Sequence, residues 1–266
     1  MDKPRYYIRS LAKGLSVLEA FSEAGDSLTL SDIAAALQVN TTAATRLCYT
    51  LTELGYLQRD ENKRYTPTPK VLLLGHSAVS KLGWYGIARY YLESLFADVK
   101  ETVNLTVPQE VDILYVITIR KNKYLPFDVQ VGTRLPVHCT AMGKVLMAMG
   151  PSEDVRVTLE KLEFQPLTSH TITSLDRFMA ELDEVRRKGY AVNDEELSLG
   201  NRAIAAPIMG ENGCAVAAVS IAAQTVNYSR AEMELTLAPK IVNTAREISG
   251  ALAQIGVSST IQWKAI

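Results

Sequence analysis

The sequence predicts an α+β protein made of two parts with different patterns. Over the first 70 residues, apolar side chains recur at helical spacing in three short stretches, and two short strand patterns follow them. From residue 103 onward, apolar runs typical of strands alternate with helical stretches. We therefore expect a small domain over residues 1–70, a linker helix with a larger α/β domain over residues 71–256, and a C-terminal tail over residues 257–266.

The composition narrows the classes of protein to consider. Hydrophobic residues make up 47% of the 266 residues, which is enough to form a core and excludes wholesale disorder. No apolar run reaches the roughly 18–20 residues of a membrane span, and residues 1–10 lack the hydrophobic segment of a signal peptide. Cys48, Cys139 and Cys214 lack the spacing of a metal site. We expect a reduced, soluble, cytoplasmic protein that makes no membrane contact.

The charge balance leaves nucleic-acid binding open. The net charge is −1, which argues against a bulk binder of polyanions. Residues 1–90 hold 11 Lys and Arg against 8 Asp and Glu, whereas residues 91–266 hold 17 against 21. The small positive excess at the N-terminal end permits contact with DNA without requiring it.

Three helices are predicted in the first part. The first carries apolar side chains at helical spacing, Leu11, Leu15 and Leu18. The second begins after Thr29, whose hydroxyl can cap a helix, and the third ends at Gly55. The apolar side of the third helix is formed by Ala44, Leu47, Leu51 and Leu54. Two short strands at residues 56–59 and 64–66 then flank a polar turn, and this order of elements is that of a winged helix-turn-helix.

The third helix is the candidate for reading DNA. A helix that enters the major groove needs small or polar residues on its exposed N-terminal face. The residues that meet this need are Thr41, Thr42, Ala43, Thr45, Arg46 and Tyr49. On the hairpin, Arg59, Lys63 and Arg64 would lie beside the phosphates or the minor groove. The alternative is a small helical domain that contacts other proteins and whose charged side chains are only solvated.

The second part is predicted to alternate strands and helices. Helical patterns at residues 71–81 and 84–100 connect the two parts without a flexible linker, so we expect a stiff connection. The predicted strands are residues 103–107, 112–120, 129–137, 203–209 and 215–222, the last two joined by a hairpin turn at residues 210–213. The predicted helices are residues 140–149, 152–162, 174–188 and a last one that opens with a capping box at Ser229 and runs to about residue 255.

The sequence offers no arrangement of catalytic residues. His76, His138 and His170 lack partners at ligand spacing, and no nucleophile or nucleotide-binding motif is present. The acidic run at residues 194–196 is interpreted as a solvated loop rather than a cation site. We therefore predict no enzyme activity, no catalytic residue, no metal and no cofactor.

A small-molecule pocket is the remaining possibility for the second part. Ser220 and Asn193 are polar residues within apolar strand patterns, and a buried hydroxyl or amide needs a partner. The helix that begins at residues 140–143 would present free N–H groups that favour an anion. The alternative is that the serine hydroxyl returns to a neighbouring carbonyl and that no ligand binds.

An ordered set of segments resembles the IclR family of bacterial transcriptional regulators. The matching segments are SLAKGLSVL (10–18), LSDIA (30–34), TRL (45–47), LGY (54–56), GTRLPVH (132–138), TAMGKVL (140–146), GYA (189–191), RAIAAP (202–207) and AAVS (217–220). The resemblance covers residues 8–255. It implies a winged helix-turn-helix joined by a linker helix to a GAF-like effector-binding domain.

The resemblance also implies function and partners. Family members bind double-stranded promoter DNA of catabolic operons as homodimers or homotetramers, repress or activate, and respond to a small organic acid. Carried over by position, the pocket would be lined by Tyr124, Phe127, Leu135, Ala141, Met142, Asn193, Ala203, Ser220 and Ala222. Ala203 and Ala222 replace thiol or hydroxyl residues of other members, which suggests an aromatic or larger acid. The alternatives are an effector domain that is an enzyme, or one that binds no ligand.

Overall fold

The structure is a computed structural model that describes residues 6–24, 27–75, 83–121 and 129–255. The chain divides into two compact units, Met1–Lys81 and Leu82–Ile266. The predicted domain boundaries after residues 70 and 256 stay predictions. None of the helices in the described part of the chain has the length and the low charge needed to cross a membrane.

The first unit has the predicted order of elements. Its described residues form helices α1 (Arg9–Ala24), α2 (Leu30–Ala36) and α3 (Thr41–Glu53), then the antiparallel strands β1 (Leu57–Arg59) and β2 (Tyr65–Pro67) and a 3-10 turn (Pro69–Val71). The two strands form the wing, which is tied to the segment before α2 by paired backbone hydrogen bonds between Leu28 and Tyr65.

Local sequence explains where these helices begin and end. Thr29 caps α2, as the sequence predicts, and Asp32 completes a reciprocal capping box with it. The side chain of Asn40 caps α3 by accepting a hydrogen bond from the backbone N–H of Ala43. Gly55 follows α3 with a φ of +76°, a conformation that glycine adopts without steric cost.

The buried face of the first unit differs from the predicted one at three leucines. The core is formed by Val17, Ala20, Leu28, Ile33, Ala34, Ala44, Cys48, Leu51, Leu57 and Tyr65. Leu11 and Leu15 of α1 are instead 60% and 50% exposed, and Leu54 is 52% exposed. Leu54 follows the last residue of α3, where the chain turns away from the core. In α1, Val17 and Ala20 face the core, so Leu11 and Leu15 lie on a different side of the helix.

The described part of the second unit is built on a six-stranded antiparallel sheet. Its strands lie in the order β5-β4-β3-β8-β7-β6. Their bounds are β3 (Thr102–Gln109), β4 (Asp112–Ile119), β5 (Arg134–Pro136), β6 (Ala191–Asp194), β7 (Asn201–Met209) and β8 (Ala215–Gln224). The β7–β8 hairpin turns at residues 210–213, as predicted, with Gly213 at a φ of +74°.

Helices cover both faces of this sheet. One face packs against α4 (Gly83–Val99), α8 (Arg230–Thr236) and α9 (Ala238–Gln254). The other face packs against α5 (Ala141–Met149), α6 (Ser152–Lys161) and α7 (Leu175–Lys188). Side chains that alternate along each strand therefore enter two separate apolar cores, and the second core lies beneath α5.

Three predicted elements need correction or lie partly outside the description. The predicted strand 129–137 shortens to Arg134–Pro136, because residues 130–133 form a turn with Gly132 at a φ of +94° and the chain enters a 3-10 turn (Val137–Cys139) after the strand. The predicted last helix is two helices that break at Leu237, and Pro239 occupies the first turn of the second. Of the predicted helix 71–81, residues 72–75 are helical and residues 76–81 lie outside the described residues.

Candidate functional site

The exposed face of α3 carries the residues predicted to read DNA. Thr41, Thr42, Thr45, Arg46 and Tyr49 are exposed, and Ala43 is half-buried. Thr45 donates its hydroxyl hydrogen to the carbonyl of Thr41 at 2.8 Å, so its oxygen remains able to accept. The N-terminal half of α3 therefore presents hydroxyl and guanidinium groups to solvent, while Ala44 and Cys48 face the core.

The three basic residues of the wing differ in their surroundings. Arg59 is exposed and lies over the ring of Tyr65 at 5.4 Å from its centroid. Lys63 is exposed at the turn between the strands, with a φ of +61°. Arg64 is half-buried, and its guanidinium donates to Ser27 Oγ at 2.8 Å and to the Ser27 carbonyl at 2.6 Å. Arg64 therefore holds the wing against the segment before α2, whereas Arg59 and Lys63 are available to phosphates.

A cavity of about 110 Å³ lies between the sheet and the first turn of α5. Six of the nine residues predicted for the pocket line it: Ala141, Met142, Asn193, Ala203, Ser220 and Ala222. Leu135 packs with the apolar core beneath α5 and is not among the lining residues. Tyr124 and Phe127 lie outside the described residues.

The sheet face that lines the cavity, called here the cavity floor, consists of Thr102, Asn104, Ala203, Ser220 and Ala222. Strand register explains this set, because Thr102 pairs with Ala222 and Ala222 pairs with Ala203 across three neighbouring strands. Asn104, which is two positions after Thr102 on β3, pairs with Ser220. The alanine side chains leave space that larger residues would fill, so the cavity follows from small residues at paired positions.

Asn104 was missed by the sequence analysis, although it is the most buried polar residue of β3 that lines the cavity. It is 2% exposed, and its amide nitrogen lies 3.4 Å from Ser220 Oγ. Its Oδ1 has no hydrogen-bond partner among the described residues. Asn104 interrupts an apolar strand pattern just as Ser220 does, so the same signal was present in the sequence.

Tyr115 also lines the cavity and was not predicted to do so. It is 5% exposed, and burial raises the pKa of its phenol well above the usual value. The hydroxyl therefore stays protonated at neutral pH and can both donate and accept a hydrogen bond.

Asn193 is held by two internal hydrogen bonds. Its Nδ2 donates to the carbonyl of Cys139 at 2.9 Å, and its Oδ1 accepts from the backbone N–H of Glu196 at 2.9 Å. The side chain thus connects the turn before α5 to the loop after β6. The amide still has one hydrogen and one lone pair for a ligand.

The interpretation of residues 194–196 as a solvated loop is wrong for Glu196. Glu196 is buried, and its Oε1 lies 2.5 Å from the ammonium of Lys144, which is 1% exposed. The same ammonium donates to Glu181 Oε1 and to the carbonyl of Val192, each at 3.1 Å. Burial raises the pKa of Glu196, and the nearby Lys144 opposes this shift. The sequence analysis missed this ion pair because its members are 52 positions apart.

Charged pairs border the cavity. Glu101 and Lys121 lie 2.6 Å apart, and the side chain of Lys121 is 39% exposed. Arg202 pairs with Asp194 at 2.5 Å and donates to the carbonyl of Tyr228. Among the described residues, both cations that line the cavity therefore already have carboxylate partners, and the backbone N–H groups in the first turn of α5 can bind an anion.

The histidines and cysteines do not form a reactive cluster in the described residues. His138 and Cys139 lie in a 3-10 turn rather than in a strand, and both are fully buried. The Nε2 atom of His138 lies 3.1 Å from the Gln165 carbonyl, and burial lowers the histidine pKa. Burial raises the pKa of Cys139 to about 12. His170 is exposed and His76 lies outside the description; no cluster of three or more metal-ligating side chains is found among described residues.

Comparison with known proteins places both units in one family. The IclR helix-turn-helix domain matches residues 10–61, and the C-terminal domain of bacterial IclR transcriptional regulators matches residues 76–250. The Pca regulon regulatory protein of Pseudomonas putida is 32% identical over 91% of this chain and 83% of its own length. The p-hydroxybenzoate hydroxylase transcriptional activator of Acinetobacter baylyi is 33% identical over 91% of each chain.

A solved structure shares the whole fold. A transcriptional regulator from Rhodococcus sp. RHA1 is 38% identical, with a TM-score of 0.80 over 94% of this chain and 100% of that chain. The matched relatives are named as transcriptional regulators and not as enzymes. The predicted α+β fold and the predicted family are both confirmed, and the chain belongs to the IclR family of bacterial transcriptional regulators.

Proposed function

We propose that this protein is a ligand-responsive regulator of a catabolic operon that binds promoter DNA through α3 and the wing. The observation that carries this proposal is the cavity at the start of α5, lined by apolar side chains and a few polar groups, in a chain that also carries a winged helix-turn-helix. A small organic acid bound there would favour one arrangement of protomers, and the linker helix would pass this change to the α3 helices. Binding to promoter DNA would take place in the cytoplasm.

In the proposed complex with DNA, α3 lies in the major groove. Thr42, Ala43, Thr45 and Arg46 would reach base edges, because they occupy the exposed N-terminal half of the helix. Arg59 and Lys63 would contact phosphates, with Arg64 mainly holding the wing.

Replacing Arg46 by alanine is expected to weaken operator binding about 5- to 150-fold. The substitution removes an exposed guanidinium that can reach a guanine or a phosphate, and such a contact contributes about 1–3 kcal/mol. Fluorescence anisotropy with labelled DNA from upstream of the protein's own gene measures this change. Arg177→Ala is the matched control, because it removes the same charge from an exposed position of α7. Unchanged operator affinity in Arg46→Ala would remove this residue from the DNA site.

A homodimer is proposed from an exposed apolar stripe formed by Ile8, just before α1, and by Leu11 and Leu15 of α1. Ile8, Leu11 and Leu15 are 62%, 60% and 50% exposed and recur at intervals of three and four residues. Leu72 and Leu74 are also exposed near the end of this unit. Apolar side chains exposed in a row mark an interaction surface, and a second copy would bring two α3 helices to two half-sites. A tetramer through the second units is the alternative assembly.

An aromatic acid is the proposed class of effector. The cavity combines apolar contacts from Ala141, Met142 and Val129 with N–H groups at the start of α5, which favour a carboxylate. Two relatives that match over most of this chain are named for regulation of the Pca regulon and of p-hydroxybenzoate hydroxylase.

An effector acid is expected to stabilise the second unit and to change operator affinity. At 100 times its Kd, a ligand that binds only the folded state raises the free energy of unfolding by about 2.7 kcal/mol. Thermal unfolding and operator titration at two salt concentrations, with a panel of aromatic and short aliphatic acids, measure both effects. DNA binding that no acid alters would leave a regulator without a ligand of this class. Consumption of an acid by the protein would instead favour the enzyme alternative.

A further inference from the structure

The cavity floor carries a polar pair whose hydrogen bonds are incomplete. Asn104 and Ser220 face each other across β3 and β8, and they are 2% and 1% exposed. The only hydrogen bond given to the Asn104 side chain by described residues is the one between its nitrogen and Ser220 Oγ, at 3.4 Å. Asn104 Oδ1 has no partner among those residues, although a buried polar atom without a hydrogen bond is costly.

The chemistry of the pair defines the group that would complete it. Asn104 Oδ1 can only accept, and Ser220 Oγ, which accepts from Asn104, keeps its own hydrogen to donate. The complementary ligand group must therefore donate to one atom and accept from the other. A hydroxyl does both, whereas a carboxylate only accepts and an ammonium only donates.

This conclusion does not depend on which end of the amide is oxygen. If the oxygen and nitrogen of Asn104 are exchanged, the oxygen accepts from Ser220 and the nitrogen is left without a partner. A ligand hydroxyl would then accept from that nitrogen. In both orientations of the amide, one end of Asn104 lacks a partner, and a ligand hydroxyl can supply the missing hydrogen bond.

We propose that Asn104 and Ser220 bind a hydroxyl group of the effector, so that this protein selects hydroxy acids over the corresponding unsubstituted acids. The inference rests on the proposed function, in which the effector carboxylate binds at the start of α5. Asn104, Ser220 and the first residues of α5 line the same cavity, so one ligand can reach both ends. Tyr115 lies in the same lining and can add a second hydrogen bond to that hydroxyl.

The test is isothermal titration calorimetry of the full chain with acids that differ by one group. 4-Hydroxybenzoate is compared with benzoate and with 4-aminobenzoate, and 3-hydroxybutyrate is compared with butyrate. In at least one series, the hydroxylated acid is expected to bind at least tenfold more tightly, because the unsubstituted acid leaves the polar pair unpartnered. Equal binding within both series would overturn the inference while leaving acid binding in place. Tighter binding of 4-aminobenzoate than of 4-hydroxybenzoate would overturn it too, because it would show that the pair needs only a hydrogen-bond donor.

Two variants assign this preference to the polar pair. Asn104→Leu and Ser220→Ala are each expected to reduce the ratio of the affinities for the hydroxylated and the unsubstituted acid at least fivefold. Ser220→Ala removes one oxygen and keeps a side chain that is already common on the floor, so it tests the pair even if Asn104→Leu does not fold. Thr244→Val is the matched control, because it removes one buried hydroxyl from α9, on the opposite face of the sheet and outside the cavity lining.

The outcomes separate this inference from the proposed function. An unchanged ratio in folded Ser220→Ala and in folded Asn104→Leu would show that another group reads the hydroxyl and would overturn the assignment. If no acid of either series binds the wild-type chain, the proposed acid site itself fails, and this inference fails with it.

Discussion

Replacing Lys144 by methionine is expected to lower the free energy of unfolding of the second unit by about 3–5 kcal/mol, measured by thermal or urea unfolding. The Lys144 ammonium is 1% exposed and donates to Glu196, Glu181 and the carbonyl of Val192. Methionine fills a similar volume but leaves the buried Glu196 carboxylate without its cation. The cost comes mainly from that unpaired charge and not from lost packing.

The effect of pH tests this explanation. Loss of Lys144 raises the pKa of Glu196 further above the ordinary value of 4.5, so the folded state binds a proton that the unfolded state releases. The free energy of unfolding that the variant loses relative to wild type is therefore expected to grow as pH rises above about 4.5 and to shrink below that pH. A deficit that is the same at pH 4 and pH 7 would contradict the electrostatic explanation.

The control is Lys188→Met, which removes a lysine from α7 that pairs with Glu184 and Glu234 near the surface. An exposed pair contributes at most about 1 kcal/mol, so this variant is expected to unfold almost as wild type does. Equal losses of unfolding free energy in the two variants would show that a buried lysine–glutamate pair matters no more to stability than a pair near the surface.

Replacing Gly143 by alanine is expected to destabilise the second unit by about 3 kcal/mol or more, although alanine normally favours a helix. A Cβ at this position would lie 2.3 Å from the Val137 carbonyl oxygen, 2.4 Å from the Val137 Cα and 2.6 Å from Thr140 Oγ1. Two of these atoms belong to the backbone, so the 3-10 turn must move as a whole. Thr140 Oγ1 also caps α5 by accepting from the N–H of Gly143 at 3.1 Å.

The matched control for Gly143 is Gly250→Ala in the middle of α9. Nothing lies within 4 Å of a Cβ placed on Gly250, so the higher helix propensity of alanine should stabilise the protein by up to about 1 kcal/mol. The two substitutions are chemically identical and are expected to differ in sign. An unchanged free energy of unfolding in Gly143→Ala would show that the 3-10 turn before α5 can shift at little cost. The affinity for an effector acid would then also stay unchanged.

The sequence predicted best those features that depend on neighbouring residues. Thr29 forms the expected helix cap, Ser229 forms the expected capping box with Glu232, and the turn at residues 210–213 joins the expected hairpin. Six of the residues that the family resemblance implies for the pocket line the cavity, and their role in ligand binding stays a prediction. The DNA-contacting residues stay predictions, with α3 exposing the polar face that they require.

Features that depend on distant residues were missed. Lys144 and Glu196 look like ordinary solvated charges until the fold brings α5 against the loop after β6. Asn104 becomes part of the floor only because β3 and β8, which lie 116 positions apart at this pair, are neighbours in the sheet. The exposure of Leu11 and Leu15 has a similar origin, since helical spacing predicts an apolar face without saying what covers it.

The cavity is built from two groups of residues that can vary independently. Lys144, Glu196 and Asn193 hold the backbone around the cavity through internal contacts. Ala203 and Ala222 contribute to the floor little beyond a methyl group each. New side chains at these two alanines can therefore change which molecule is recognised without disturbing the supporting residues. The same scaffold is suited to laboratory evolution of a biosensor, with Ala203 and Ala222 as the first positions to randomise.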